Sequence, residues 1–238
     1  MATELLTRNV EGSMDTRKLK DPRKHAKWLL VASGKGGNGK TTSSLNLGVV
    51  AAYAGLKVCL VDLDSQRSLS RWHDRRPTDA PELMLWQGRL DDAKRAIQEI
   101  DEVENLDLVI VDTPPTVDEH LSAMDALIRR SNFALVPTTQ GTVDLDSVVE
   151  WMTYLRRFDV RAAFVINRAQ RTYGTYQKAK KRLNRAGPLC PMDIRQLEDI
   201  QATHDLGVGV KEMSKSRAIE DYEGVWDYLC AEMEIVSA

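Results

Sequence analysis

An apolar run, Trp28-Leu29-Leu30-Val31-Ala32, breaks directly into Gly34-Lys35-Gly36-Gly37-Asn38-Gly39-Lys40-Thr41-Thr42, and no other stretch constrains the chain as tightly. Gly36, Gly37 and Gly39 lack Cβ, so the backbone there can take positive φ and turn its NH groups inward around an anion. Residues Gly34 to Thr41 satisfy G-x-x-x-x-G-K-[ST]. The strand before the turn and the helix after it supply the context that separates a phosphate-binding loop from an ordinary glycine turn. In that loop Lys40 places a charge at the β- and γ-phosphates, Thr41 offers a hydroxyl to Mg²⁺, and Thr42 can donate to the α-phosphate. The stretch predicts a nucleotide site.

The rest of the chain alternates short apolar runs with helical patterns. Thr41 to Ala54 reads as a helix with Leu45, Val49 and Ala52 on one face and Gly55 at its end. Lys57 to Asp64 reads as a buried parallel strand, Ser68 to Arg75 as a short helix and Glu82 to Trp86 as a short strand. Leu90 to Ile100 reads as an amphipathic helix. The run Leu106 to Asp112 is an apolar strand ending in a carboxylate, the pattern that sets an aspartate beside the phosphates to hold a water of Mg²⁺. Strands at Phe133 to Pro137 and Val160 to Asn167 follow, with helices at Val143 to Phe158, Tyr173 to Ala186 and Ala218 to Met233. About seven such alternations specify an α/β fold, a mostly parallel twisted sheet with helices on both faces. The ligand then belongs at the carboxyl ends of the strands. The loop, Asp64 and Asp112 all fall at such ends.

The order of Lys35 directly after the first glycine gives K-G-G-x-G-K-T-T, which resembles the deviant Walker A loop of the ParA/MinD family of dimerising P-loop ATPases. The resemblance runs from Trp28 into the last helix and is strongest ahead of Asn167. It implies ATP and Mg²⁺ as cofactors and an ATP-dependent homodimer in which Lys35 reaches the partner's phosphates while Lys40 serves its own. A solvated loop lysine is the alternative for Lys35. The family's D-x-D-P-Q segment is similar to Asp62-Leu63-Asp64-Ser65-Gln66, which implies that Asp64 orients the attacking water and meets the metal through water. Ser65 departs from the usual proline and frees a φ angle. A helix N-cap ahead of Leu69 is the other reading of Asp64. Thr113-Pro114-Pro115 stands where the family has its second switch, and Pro137-Thr138-Thr139 where a loop approaches the dimer interface. Asn167 matches an adenine-edge contact, with a plain turn residue as its alternative.

Toward the C-terminus, Arg195, Lys215 and Arg217, with Lys211 nearby, match positions where the family's cations meet nonspecific DNA. A second candidate is the helix over Tyr173 to Ala186, where Lys178, Lys181, Arg182 and Arg185 share one face, with a solvated helix face as the plainer reading of the same stripe. The resemblance is closest to short ParA-type plasmid partition proteins. It implies a slow Mg²⁺-dependent ATPase, stimulated by a ParB-like partner, that positions a plasmid or other cargo from the cytoplasm on nucleoid DNA.

Composition bounds these readings. The 238 residues suit residues 27–238 as one nucleotide-binding domain behind a charged tail of residues 1–26, read as mobile or as a DNA-touching arm. A net charge of -2 means that DNA binding needs a local patch. Three scattered cysteines fit reduced thiols better than a disulfide scaffold, and no C-x-x-C supports a metal cluster. No apolar stretch approaches the roughly 20 residues of a membrane span. Beyond Arg217 the charges are all acidic, the wrong sign for a helix lying on anionic lipid. A small-molecule ligase or carrier on the same scaffold, a conjugation-associated ATPase and a protein-interaction switch stay open as alternatives.

Overall fold

The computed structural model describes residues 26–115 and 121–236. The tail read at residues 1–26 therefore lies outside the described residues, apart from Ala26.

Six parallel strands form one sheet: β1 (Lys27–Val31), β2 (Val58–Asp62), β3 (Met84–Gln87), β4 (Leu108–Asp112), β5 (Phe133–Thr138) and β6 (Arg161–Ile166), in the spatial order β3-β2-β4-β1-β5-β6. The chain leaves β1 in the centre, builds outward on one side, returns as β4, and crosses β1 to build β5 and β6 on the other. That reversal opens a crevice at the carboxyl ends of the central strands, where doubly wound sheets bind ligands.

Central strands with two covered faces must be apolar throughout, and β2, β4 and β5 are buried at every position. Side chains alternate between faces. Trp28, Leu30 and Ala32 enter one core with α3 (Ala93–Asp101), α4 (Leu121–Arg130), α5 (Thr142–Leu155) and α6 (Gly174–Ala186). Leu29 and Val31 enter the other with α1 (Lys40–Tyr53), α2 (Ser68–His73), α7 (Glu198–Leu206) and α8 (Ile219–Met233). The register pairs Val31 and Asp62 each with Asp112, so the strand ends are level and Asp112 meets the end of the phosphate loop at Thr41.

Some expected boundaries differ. The helix read from Leu90 opens as a 3₁₀ turn, Leu90–Asp92, before α3 begins. The strand read over Lys57 to Asp64 stops at Asp62, because Asp64 has left the ladder to bond with its NH the side chain of Asp62. No seventh full strand forms among the described residues. The segment from Leu189 to Arg195 runs beside β6 and is joined to it and to the residues after it by the bridges Phe164 with Leu189 and Ala169 with Arg195 and by the bond from the NH of Ile194 to the carbonyl of Ile166.

Candidate nucleotide site

The loop from Ser33 to Gly39 joins β1 to α1, and two of its glycines take left-handed φ, 80° at Gly37 and 85° at Gly39. Gly39 has a second reason to be glycine, since a Cβ there would lie 1.8 Å from Asn167 Nδ2. The cradle is thus closed on the β6 side by Asn167. Its Nδ2 donates to the carbonyl of Asn38 at 3.2 Å, and its Oδ1 accepts from the NH of Arg168. Asn167 is buried beside a small pocket that also includes Thr42, Arg195, Gln196 and Leu197. It ties the loop to the sheet, and its place at the pocket wall is compatible with a base contact.

Lys40 opens α1 and is only 7 % exposed. Its Nζ donates to the carbonyl of Lys35 at 3.1 Å. Burial lowers its pKa, while the charges of Asp112 and Asp64 pull it back up. A cation held in a dry loop with few partners is suited to an anionic ligand.

Asp112, at the end of β4, accepts from Thr41 Oγ1 at 2.7 Å and more weakly from Ser44 Oγ at 3.4 Å. It is 1 % exposed, and burial pushes its pKa up to about 7, with Asp62 adding to the rise and the Thr41 bond and Lys40 opposing it. A buried carboxylate beside a hydroxyl is a hard-oxygen pair lacking a full countercharge, which fits Mg²⁺.

The two aspartates of the Asp62-x-Asp64 segment divide their work. Asp62 is buried and accepts from the NH of Asp64, the NH of Ser70 and Ser70 Oγ, so it braces the start of α2. The helix-start role considered for Asp64 therefore belongs to Asp62. The carboxylate of Asp64 accepts only the NH of Gln66 at 2.9 Å among the described contacts and stays half-buried at the strand end.

Lys35 does not lie over its own loop. Its ammonium donates to Asp144 Oδ1 at 2.7 Å, and Thr139 Oγ1 donates to Asp144 Oδ2 at 2.5 Å. Those two bonds hold the Asp144 carboxyl below the usual carboxylate range against the opposing effect of burial. Asp144 went unnoticed in the sequence because its contact with Lys35 spans 109 positions and it belongs to no motif, whereas Thr139 stands in the Pro137-Thr138-Thr139 segment already singled out. Thr113 Oγ1 donates to the carbonyl of Val31, pinning the start of the Thr113-Pro114-Pro115 segment, whose continuation at 116–120 is outside the described residues.

The cations proposed for DNA do not converge. Arg195 pairs with Asp221 at 2.9 Å and donates to the carbonyl of Arg217, and Lys211 pairs with Glu223. Lys215 and Arg217 are exposed. Lys181 and Arg182 lie on α6, packed on the opposite side of the sheet from α8. Cys59 and Cys190 are buried, and burial pushes their thiols up to about 12 and about 11, which keeps them protonated and poor ligands.

Residues 29–208 match the model of the CobQ/CobB/MinD/ParA nucleotide binding domain. A "Maintenance of carboxysome distribution protein A" of Gloeobacter kilaueensis is 37 % identical over 122 residues, covering 51 % of this chain and 53 % of that protein. The chain thus spans about half the length of that relative. A protein of the same description from Halothiobacillus neapolitanus is 29 % identical over 177 residues, covering 71 % of this chain and 79 % of the relative. Among solved structures, a putative plasmid partition protein of Borrelia burgdorferi bound to AMPPNP superposes with a TM-score of 0.71 at 17 % identity, covering 87 % of this chain and 99 % of that one, a likeness of fold. With the glycine cradle, the buried lysine and the Thr41–Asp112 pair at the carboxyl ends of a parallel sheet, the family match leads to one conclusion: the chain belongs to the CobQ/CobB/MinD/ParA family of nucleotide-binding domains.

Proposed function

We propose that this protein is a ParA-type ATPase that dimerises with ATP and Mg²⁺, binds duplex DNA without sequence preference, and positions a cargo, with hydrolysis stimulated by a partner protein. The observation that carries the reading is the pair of loop lysines with separate surroundings. Lys40 is buried at the loop floor, and Lys35 is turned outward onto Asp144. A lysine that faces away from its own phosphates is available to a second protomer.

In this reading the loop amides, Lys40 and Thr42 hold the phosphates, and Asn167 meets the base. Thr41 and Asp112 hold Mg²⁺, Asp112 through water. Bound ATP·Mg²⁺ supplies the phosphoryl group that passes to water. Asp64, at the open end of the β2 loop, orients that water, and Lys35 leaves Asp144 to neutralise charge across the dimer. With no strong base beside the loop among the described residues, turnover without a partner is slow. The carboxysome-distribution relatives favour large protein bodies as cargo alongside the plasmids suggested by the partition-protein fold.

The test separates the two lysines. Lys40→Ala should abolish ATP binding, whereas Lys35→Ala should retain binding and lose hydrolysis, both measured with a fluorescent ATP analogue and phosphate release. Hydrolysis at the wild-type rate in either variant would overturn the assignment.

A further inference from the structure

The outer helices α6 and α8, on opposite sides of the sheet, carry opposite charge, while α5 beside α6 carries Asp144, Asp146 and Glu150 and no cation. Helix α6 has Lys178, Lys180, Lys181, Arg182 and Arg185 and no acidic residue. Helix α8, on the other side, has Glu220, Asp221, Glu223, Asp227 and Glu232 and no basic one. This difference decides which cations are free to meet a polyanion.

On the α8 side two of the four candidate cations are already occupied. Arg195 is bound through Nε to both carboxylate oxygens of Asp221, which is 2 % exposed, and Lys211 is bound to Glu223. Moving Arg195 onto a phosphate would strand a buried carboxylate without its partner, a heavy penalty. Lys215 and Arg217 remain exposed, but the acidic start of α8 follows them immediately.

Of the α6 cations only Arg182 has an acidic partner among the described residues, the exposed Asp146 of α5. Lys178, Lys181 and Arg185 are exposed and have no ion pair among the described residues. With Val149 and Ala186 they line an open groove between α5 and α6. From Lys178 to Arg185 the helix advances about 10 Å at 1.5 Å per residue. Phosphates recur about every 3.4 Å of axis along one DNA strand, so three such cations can each reach a different phosphate.

We propose that duplex DNA docks along the α5–α6 groove through Lys178, Lys181 and Arg185, and not on the surface of Arg195, Lys211, Lys215 and Arg217. This rests on the DNA-binding reading above and gives that reading its site. Because the cations are flexible side chains that meet phosphates, binding is indifferent to sequence and steeply dependent on salt.

The experiment compares the full chain with two variants, Lys178→Gln/Lys181→Gln/Arg185→Gln and Lys215→Gln/Arg217→Gln, in anisotropy titrations with two duplexes of unrelated sequence. ATP and Mg²⁺ are present, and salt is varied. The α6 variant should lose at least about tenfold in affinity for both duplexes, and its log–log salt slope should flatten by up to about 2.7, or 0.9 per contact. Its ATP hydrolysis without DNA and its melting temperature should match wild type, and the second variant should bind nearly as wild type does. Wild-type affinity and slope in the α6 variant overturn the proposal. If the second variant then loses binding, DNA belongs to the α8 side; if neither loses it, the groove is left for an acidic protein partner. A wild-type chain that binds neither duplex at any salt overturns the DNA reading itself and this site with it.

Discussion

Asp112 shows how one buried carboxylate ties stability to ligand chemistry. Its folded pKa of about 7 lies above the ordinary value near 4, so the folded state favours the protonated form. Its contribution to stability is therefore full below about pH 4 and lost as pH rises through about 7. Asp112→Asn removes the titration while retaining an acceptor for Thr41. Without nucleotide or divalent cation, the variant should melt close to wild type at about pH 4 and above it at about pH 8. An equal difference at both pH values would count against the buried, raised carboxyl. Lys40, Thr41 and Asp112 were legible in the sequence because their chemistry is local: a short motif, a strand end, a carboxylate. Asp144 was not, since only the fold brings it to Lys35. The division between Asp62 and Asp64 was equally hidden, because two carboxylates two positions apart look alike until one is buried against Ser70.

At the scale of elements, the connection after α2 depends on a contact that the sequence did not reveal. Arg76 donates to both oxygens of Glu212 at 3.1 and 2.8 Å, with both side chains 7 % exposed, and its guanidinium lies 5.0 Å from the Trp72 ring centre. Glu212 also accepts from the NH of Gly209 at 2.7 Å, closing the 3₁₀ turn Val210–Glu212. Arg76→Ala leaves that carboxylate buried and unpaired, and should cost about 3–5 kcal/mol. Urea unfolding checks this, and a midpoint near wild type would mean that the pair is dispensable. Strands β2, β4 and β5 were readable because burial on both faces demands unbroken apolar runs. The Leu189–Arg195 segment was not, since a chain tied to β6 by isolated bridges and single bonds follows neither a strand nor a helix period. Helix α6 was readable from its apolar positions Tyr176, Ala179 and Leu183, but whether its cations were free depended on Asp146 and on what lies across the sheet.

For the whole molecule, the parallel sheet gathers the loop, Asp62, Asp64 and Asp112 along one rim, while Lys35 faces away from that site onto Asp144. A second protomer placed against this rim would offer its phosphates to Lys35 and compete with Asp144 for the ammonium. The fold and nucleotide site follow from burial patterns and one motif; assembly depends on a surface that matters only when two chains meet. The most direct measurement is molar mass by light scattering with Mg²⁺ and a slowly hydrolysed ATP analogue, for the wild-type chain and for Lys35→Ala. The mass should double for the wild type on adding nucleotide and stay that of one chain for the variant, although both bind the analogue. A nucleotide-bound wild type that remains a single chain, or a variant that doubles just as readily, would contradict the account.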